Sequence, residues 1–108
     1  MADLKELLDA LKKDLTGIAK EAGEDFKEEL IKDGQAFIKK SKEDLERWMI
    51  LAAEGRLTKD ELEYLINGKK DLAEMEALKQ KGLAEVKIDK MRNALLNSVI
   101  SSVFKALP

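Results

Sequence analysis

Apolar residues recur every three or four positions through the first half of the chain, a spacing that places them along one face of an α-helix. The first six are separated by 4, 3, 4, 3 and 4 residues, which is a heptad pattern: Leu4, Leu8, Leu11, Leu15, Ile18 and Ala22. Proline occurs only at position 108, and β-branched residues are few before Val86, so a β-sheet is disfavoured. The sequence therefore predicts an all-α protein with coiled-coil-like packing.

The residue types that are missing exclude several classes of function. The 108 residues contain no cysteine and no histidine, which removes thiolate ligands, the commonest metal ligand and the commonest general base. We therefore expect no enzymatic activity, no metal site and no cofactor. The net charge of −2 argues against nucleic acid as a partner. No early segment resembles a signal peptide, and we expect a cytoplasmic protein.

A helix–turn–helix signal lies at the middle of the chain. Gly55 is suited to end one helix, and Thr58 with Glu61 forms the pattern of a capping box that begins the next. The segment resembles the second half of an EF-hand loop, but Ile50 and Ala52 carry no oxygen where the first and third calcium ligands belong. It also resembles the helical-hairpin modules called short C-terminal domains. That resemblance covers only the segment around the turn. It implies a helix–turn–helix and does not imply any function.

This turn divides a single helical domain, residues 1–108, into two predicted arms. The first arm runs over residues 3–54, the turn occupies residues 55–58, and the second arm runs over residues 59–107. The apolar face keeps its phase across Gly23, which favours a continuous or kinked first arm.

The second arm has two candidate interruptions. The Asn67-Gly68 step is typical of a turn, but a long helix also tolerates such a defect. Both interpretations stay open there, and Gly82 is a candidate kink.

Two helices alone bury only one seam, which leaves a thin core for arms of this length. We therefore expect a long antiparallel helical hairpin that completes a four-helix bundle by forming a homodimer. The alternative is a monomeric four-helix bundle, in which the arms break at Gly23 and near Asn67.

The segment 93–104 has no charged residue, although 39% of the chain is charged. It is interpreted in three ways: as the most enclosed helix of a bundle, as an interface with a partner, or as a membrane-docking surface. Trp48 is interpreted either as an anchor in the core or at the end of the hairpin, or as a partly exposed interface anchor, because tryptophan is enriched at interface hot spots. The predicted interface residues are Trp48, Leu95, Leu96, Val99, Ile100, Val103 and Phe104.

The function predicted from these features is a non-catalytic helical protein for protein–protein interaction or assembly. The alternative is a peripheral membrane or lipid-binding protein that acts through residues 93–107. Residues 77–108 carry six basic and two acidic side chains, which anionic lipid would attract. A third possibility is a binder of small molecules in the core of the bundle.

Overall fold

Helix α1 (Leu4–Ala22) packs lengthwise against two other long helices. The computed structural model describes residues 4–105 and, within that range, every side chain except those of Ala22 and Glu24. No strand occurs in this range, so the predicted all-α class is confirmed. The predicted helix start at residue 3 and helix end at residue 107 lie outside the described residues. The other α-helices are α2 (Lys27–Lys40), α3 (Lys42–Ala53), α4 (Lys59–Asn67), α5 (Glu76–Lys81) and α6 (Glu85–Lys105), with 3₁₀ turns at Glu24–Phe26 and Lys70–Leu72.

The first helix ends at Gly23. Gly23 has a φ of +107°, a left-handed conformation that glycine adopts without steric cost. The Gly23 N–H donates to the carbonyl of Ala19 at 3.0 Å. The chain then turns, and α2 packs back along α1. The prediction of a continuous or kinked helix across Gly23 is therefore wrong. The spacing of apolar residues could not reveal the break at Gly23. The residues before and after it follow the same helical spacing whether they belong to one straight helix or to the two helices of a hairpin.

A milder interruption at Ser41 separates α2 from α3. The Ser41 hydroxyl donates to the carbonyl of Phe37 at 2.7 Å, and the Ser41 N–H donates to the same oxygen at 3.0 Å. The next turn still forms, because Leu45 N–H donates to the Ser41 carbonyl at 2.9 Å. Serine hydroxyls that bond back in this way often bend helices.

The central turn has the predicted caps. Gly55 has a φ of +74°, and the N–H of Arg56 donates to the carbonyl of Leu51 at 2.8 Å, as in a Schellman motif. Glu61 N–H donates to Thr58 Oγ1 at 3.2 Å, and Thr58 N–H donates to Glu61 Oε1 at 3.0 Å. The predicted capping box is thus confirmed.

The second arm consists of three helices. Helix α4 ends at Asn67, so the Asn67-Gly68 step is a true turn. Helix α5 lies between two left-handed residues, Met75 with φ +57° and Gly82 with φ +95°. Gly82 therefore ends a helix, and it is not a kink within one.

The predicted long hairpin is wrong for the same reason, since both arms fold back on themselves. A straight helix over residues 3–54 would be about 75 Å long, but the molecule measures 41 × 23 × 20 Å. Helices α1 and α6 run antiparallel: Asp14 near the middle of α1 pairs with Lys105 at 3.2 Å, and Glu21 near its end pairs with Lys90 at 3.6 Å. The radius of gyration of 13.4 Å is close to the value of about 13 Å expected for a compact domain of this size.

Helix α6 is enclosed by the rest of the chain. It packs against α1 on one side and α4 on another, and even Ser98 and Ser102 on its polar face are buried. The Ser102 hydroxyl lies 3.5 Å from Asp14 Oδ2, to which it donates. Charged side chains would be costly at such buried positions, which accounts for the uncharged Ser98 and Ser102 but not for Asn93 and Asn97, which are exposed.

Gly34 is the point where α2 approaches α1 and α6 most tightly. A Cβ atom at this position would lie 2.5 Å from Leu15 Cδ1 and 3.3 Å from Leu95 Cδ1. Both leucines are buried, so neither side chain has open space to move into. A Cβ atom at position 34 would therefore require the Leu15 side chain to shift within the core.

The neighbouring residue, Asp33, holds α5 in place. Its carboxylate accepts from the N–H of Ala77 at 2.8 Å and from the N–H of Leu78 at 3.0 Å. These are amides of the first turn of α5, and the cap residue Met75 provides no side-chain bond to them. A helix of six residues has little stability of its own, so this distant cap supplies what the local sequence lacks.

Two ion pairs set the direction of α5 along α2. Glu29 and Lys81 approach to 3.3 Å near one end, and Lys40 and Glu74 approach to 3.0 Å near the other. With the Asp33 cap between them, they show that the two helices run antiparallel.

We expect Gly34→Ala to destabilise the protein and Gly17→Ala to stabilise it. An added methyl at Gly34 overpacks the core, typically at a cost of about 1–3 kcal/mol, which exceeds the gain in helix propensity of about 1 kcal/mol. Gly17 also lies inside a helix, but nothing lies within 4 Å of a Cβ placed there. Urea denaturation of both variants measures the difference. A stabilised Gly34→Ala variant would contradict the close approach of these helices.

The pH dependence of stability should depend on Asp33. Burial raises the pKa of this carboxyl above its usual value, although the amides of Ala77 and Leu78 act in the opposite direction. The negative charges of Glu76 and Glu29 add to the increase. Because the folded state holds this proton more tightly, Asp33 contributes most stability below its usual pKa and loses that contribution as pH rises through the folded pKa.

Asp33→Asn removes this titration. We expect the free energy of unfolding of the wild type, minus that of Asp33→Asn, to fall as pH rises from about 3 to about 7. Urea denaturation at a series of pH values measures the difference. A difference that rises over the same range would show that the hydrogen bonds outweigh burial at this carboxyl.

Candidate functional site

The predicted interface residues of α6 lie mainly inside the folded chain. Five are buried (Leu95, Leu96, Val99, Ile100 and Val103), and Phe104 is half-buried. Their neighbours are helices of the same chain, chiefly α1 and α4. A partner could reach the five buried side chains only if α6 separated from these helices. The structure therefore places these residues in the core.

Trp48 is placed differently, because it lies at the edge of the core. Its side chain is 5% exposed, yet it lines an open groove between the start of α3 and the end of α4. The groove has a volume of about 600 Å³, within the range of about 300–1,000 Å³ found for ligand clefts. We call it the Trp48 groove; it is lined by Asp44, Arg47, Trp48, Tyr64, Leu65, Asn67, Gly68 and Lys69.

The groove exists because the capped central turn brings α3 and α4 together. Leu62 and Ile66 point from α4 into the core and are fully covered. Tyr64 lies between them in sequence and so projects from another face, where its side chain is 79% exposed. Leu65 is half-buried beside it. The groove thus has a covered indole, a half-buried leucine and an exposed tyrosine as its apolar surface.

One carboxylate ties the two helices across the groove. Asp44 Oδ2 lies 2.9 Å from Lys69 Nζ, which follows the end of α4. Asp44 Oδ1 accepts from Arg47 Nη2 at 2.8 Å, one turn along α3. The bond from Lys69 holds the pKa of Asp44 below its usual value, and the charge of Arg47 acts in the same direction. Asp44 therefore stays ionised while it joins both cations.

The charges that line the groove do not balance. Arg47 and Lys69 are both positive, and Asp44 is the single acidic side chain among the lining residues. The Arg47 side chain is 62% exposed and that of Lys69 is 38% exposed, so both can meet a bound molecule. The groove combines an apolar surface with one excess positive charge.

A second cleft, of about 390 Å³, lies beside α5 and has a different character. Arg92 at its edge donates from Nε to the carbonyl of Ala73 at 2.8 Å and pairs with Asp89. Three cations and three anions line the cleft, so it favours no charge in a ligand: Lys70, Lys79 and Arg92 with Asp71, Glu74 and Glu76.

Sequence reasoning identified Trp48 but missed the residues around it. Tyr64 carried a detectable signal, because an aromatic residue stands out of phase with the apolar face of α4. Lys69 and Asp44 carried no detectable sequence signal, because they are 25 positions apart and only the fold brings them together.

Comparisons with protein-family models, curated protein sequences and solved structures find no match to this chain. Along the described part of the chain, no helix is long and apolar enough to cross a membrane. Among the same residues, no group of three or more Asp and Glu side chains is arranged to hold a metal ion. Function is therefore inferred from the Trp48 groove.

We expect Trp48 and Tyr64 to differ sharply in their effect on stability. Trp48→Ala empties a buried position and should cost about 3–5 kcal/mol. Tyr64→Ala removes an exposed side chain and should change stability by less than about 0.5 kcal/mol. Urea denaturation followed by circular dichroism measures both variants. A large loss for Tyr64→Ala would mean that this side chain is part of the core and that the groove is not an open surface.

Proposed function

We propose that this chain is a non-catalytic helical protein-interaction module that binds a segment of another protein in the Trp48 groove. The observation that carries the proposal is the exposed Tyr64 beside the half-buried Leu65 and the indole of Trp48. Tyrosine and tryptophan supply large contact areas with little loss of side-chain entropy, and both are enriched at interfaces. The cytoplasm stays the predicted location, because a chain without cysteine suits a reducing compartment.

A groove between two helices suits a peptide better than a small molecule. Its apolar surface is formed by side chains from both α3 and α4. Amphipathic segments bind such grooves through apolar side chains spaced one helical turn apart. The bundle-core ligand suggested by the sequence has less support, because the core positions are filled by apolar side chains.

Self-association is a separate part of the proposal. The sequence predicts a homodimer that completes a four-helix bundle, but the compact chain covers its core without a partner. A homodimer would therefore use exposed side chains, of which Tyr64 and Ile50 are the candidates on α3 and α4. Light scattering tests this point: a dimer has twice the chain mass of 12.2 kDa.

The alternative function, lipid binding through residues 93–107, remains a prediction with less support. The apolar side chains of α6 that would enter a membrane are covered by the chain's own helices. Co-sedimentation with anionic liposomes tests it, and binding by the folded protein would favour this alternative.

Selection from a displayed random-peptide library tests the main proposal. We expect the immobilised protein to enrich peptides that lose at least about tenfold in affinity for Tyr64→Glu, which is about 1.4 kcal/mol. Val86→Glu is the matched control, since Val86 is also exposed and apolar but lies on α6 and does not line the groove. Failure to enrich peptides, or equal losses in the two variants, would contradict the proposal.

A further inference from the structure

We infer that the segment bound in the Trp48 groove carries acidic residues beside its apolar anchor. This inference rests on the proposed function and adds the chemistry of the partner. It is carried by the arrangement in which Arg47 and Lys69 share Asp44.

The two cations are held at the groove by a single carboxylate, that of Asp44. Each Asp44 oxygen has one cationic partner, at 2.8 Å and 2.9 Å. The bond to Asp44 uses one of the five N–H donors of the Arg47 guanidinium, which can bind a second carboxylate in a planar, two-bond geometry. A partner carboxylate at this position would complete the charge balance of the groove.

Burial by a partner makes this balance more important. A bound segment excludes water from the groove, and the excess positive charge then loses part of its hydration. An acidic segment replaces that hydration with a direct ion pair, and a basic segment adds repulsion at close range. Residues 42–69, which surround the groove, carry five basic and seven acidic side chains, so the attraction of an acidic partner depends on Arg47 and Lys69 at short range. More distant charges are screened by salt beyond about 10 Å.

The same charges disfavour a second copy of the chain as the occupant. In a two-fold symmetric contact, each surface patch meets its own counterpart, so one excess positive charge would face another. An acidic segment of a different protein has no such penalty. The apolar surface adds the second requirement, an aliphatic or aromatic side chain that packs between Tyr64 and Leu65 over Trp48.

The occupant can be tested with three synthetic peptides and the intrinsic fluorescence of Trp48, the only tryptophan in the chain. The peptides lack tryptophan and share the same Leu and Phe residues at helical spacing; their flanking residues are Glu in one, Gln in the second and Lys in the third. We expect the Glu peptide to bind at least about tenfold more tightly than the Lys peptide at low salt, and the ratio to shrink at high salt.

Arg47→Glu should reverse the order of affinities, since it replaces the excess cation with an anion. Lys87→Glu makes the same change in net charge at an exposed position of α6, and it should leave the order unchanged. Equal binding of the three peptides, or no binding by any of them, would overturn the inference. So would a dimer in light scattering that Tyr64→Glu abolishes, because a second copy would then occupy the groove.

The peptide titration and the library selection can fail separately. Library peptides that bind the groove without acidic residues would contradict the inference and leave the interaction function intact. A library that yields no groove-binding peptide would contradict the function itself.

Discussion

The structure depends on how closely α2 can approach its neighbours, and two consecutive residues decide this. Gly34 lets α2 meet α1 and α6 where a methyl group would collide with Leu15. Asp33 extends to the other side of the same helix and caps α5 through two backbone amides. Gly34 thus lies in the core, and Asp33 holds the short helix α5 in place. Most apolar side chains of α6 are buried, although Val86 near its start is exposed, and the exposed Ile50 and Tyr64 lie on α3 and α4.

The local features of the fold could be predicted from the sequence, and the distant ones could not. Helical content, the helix end at Gly55 and the capping box at Thr58 depend on residues a few positions apart, and all were predicted. Helix α5 depends on a carboxylate 44 and 45 positions away from the amides that it binds. The break at Gly23 was missed because helical periodicity does not record the direction of the next helix. The incorrect prediction of a long hairpin follows from these two errors.

At the candidate site, too, local features could be predicted from the sequence and distant contacts could not. Trp48 was predicted as an interface anchor because tryptophan is enriched at interface hot spots. The uncharged segment 93–104 was open to three interpretations, and burial in the single chain favours an enclosed helix. Packing against α1 and α4 accounts for the lack of charge at its buried positions. The groove is lined by residues from two separate parts of the chain, such as Asp44 and Lys69, so no local sequence pattern could predict it.

Small-angle X-ray scattering tests the central claim most directly, because the compact single chain and the extended hairpin differ in size. The account predicts that the single chain has a radius of gyration close to 13.4 Å, apart from the contribution of bound water. A pair of straight arms about 75 Å long would give a value of about 22 Å. A radius near that larger value would contradict the compact fold, and with it the enclosed core and the Trp48 groove.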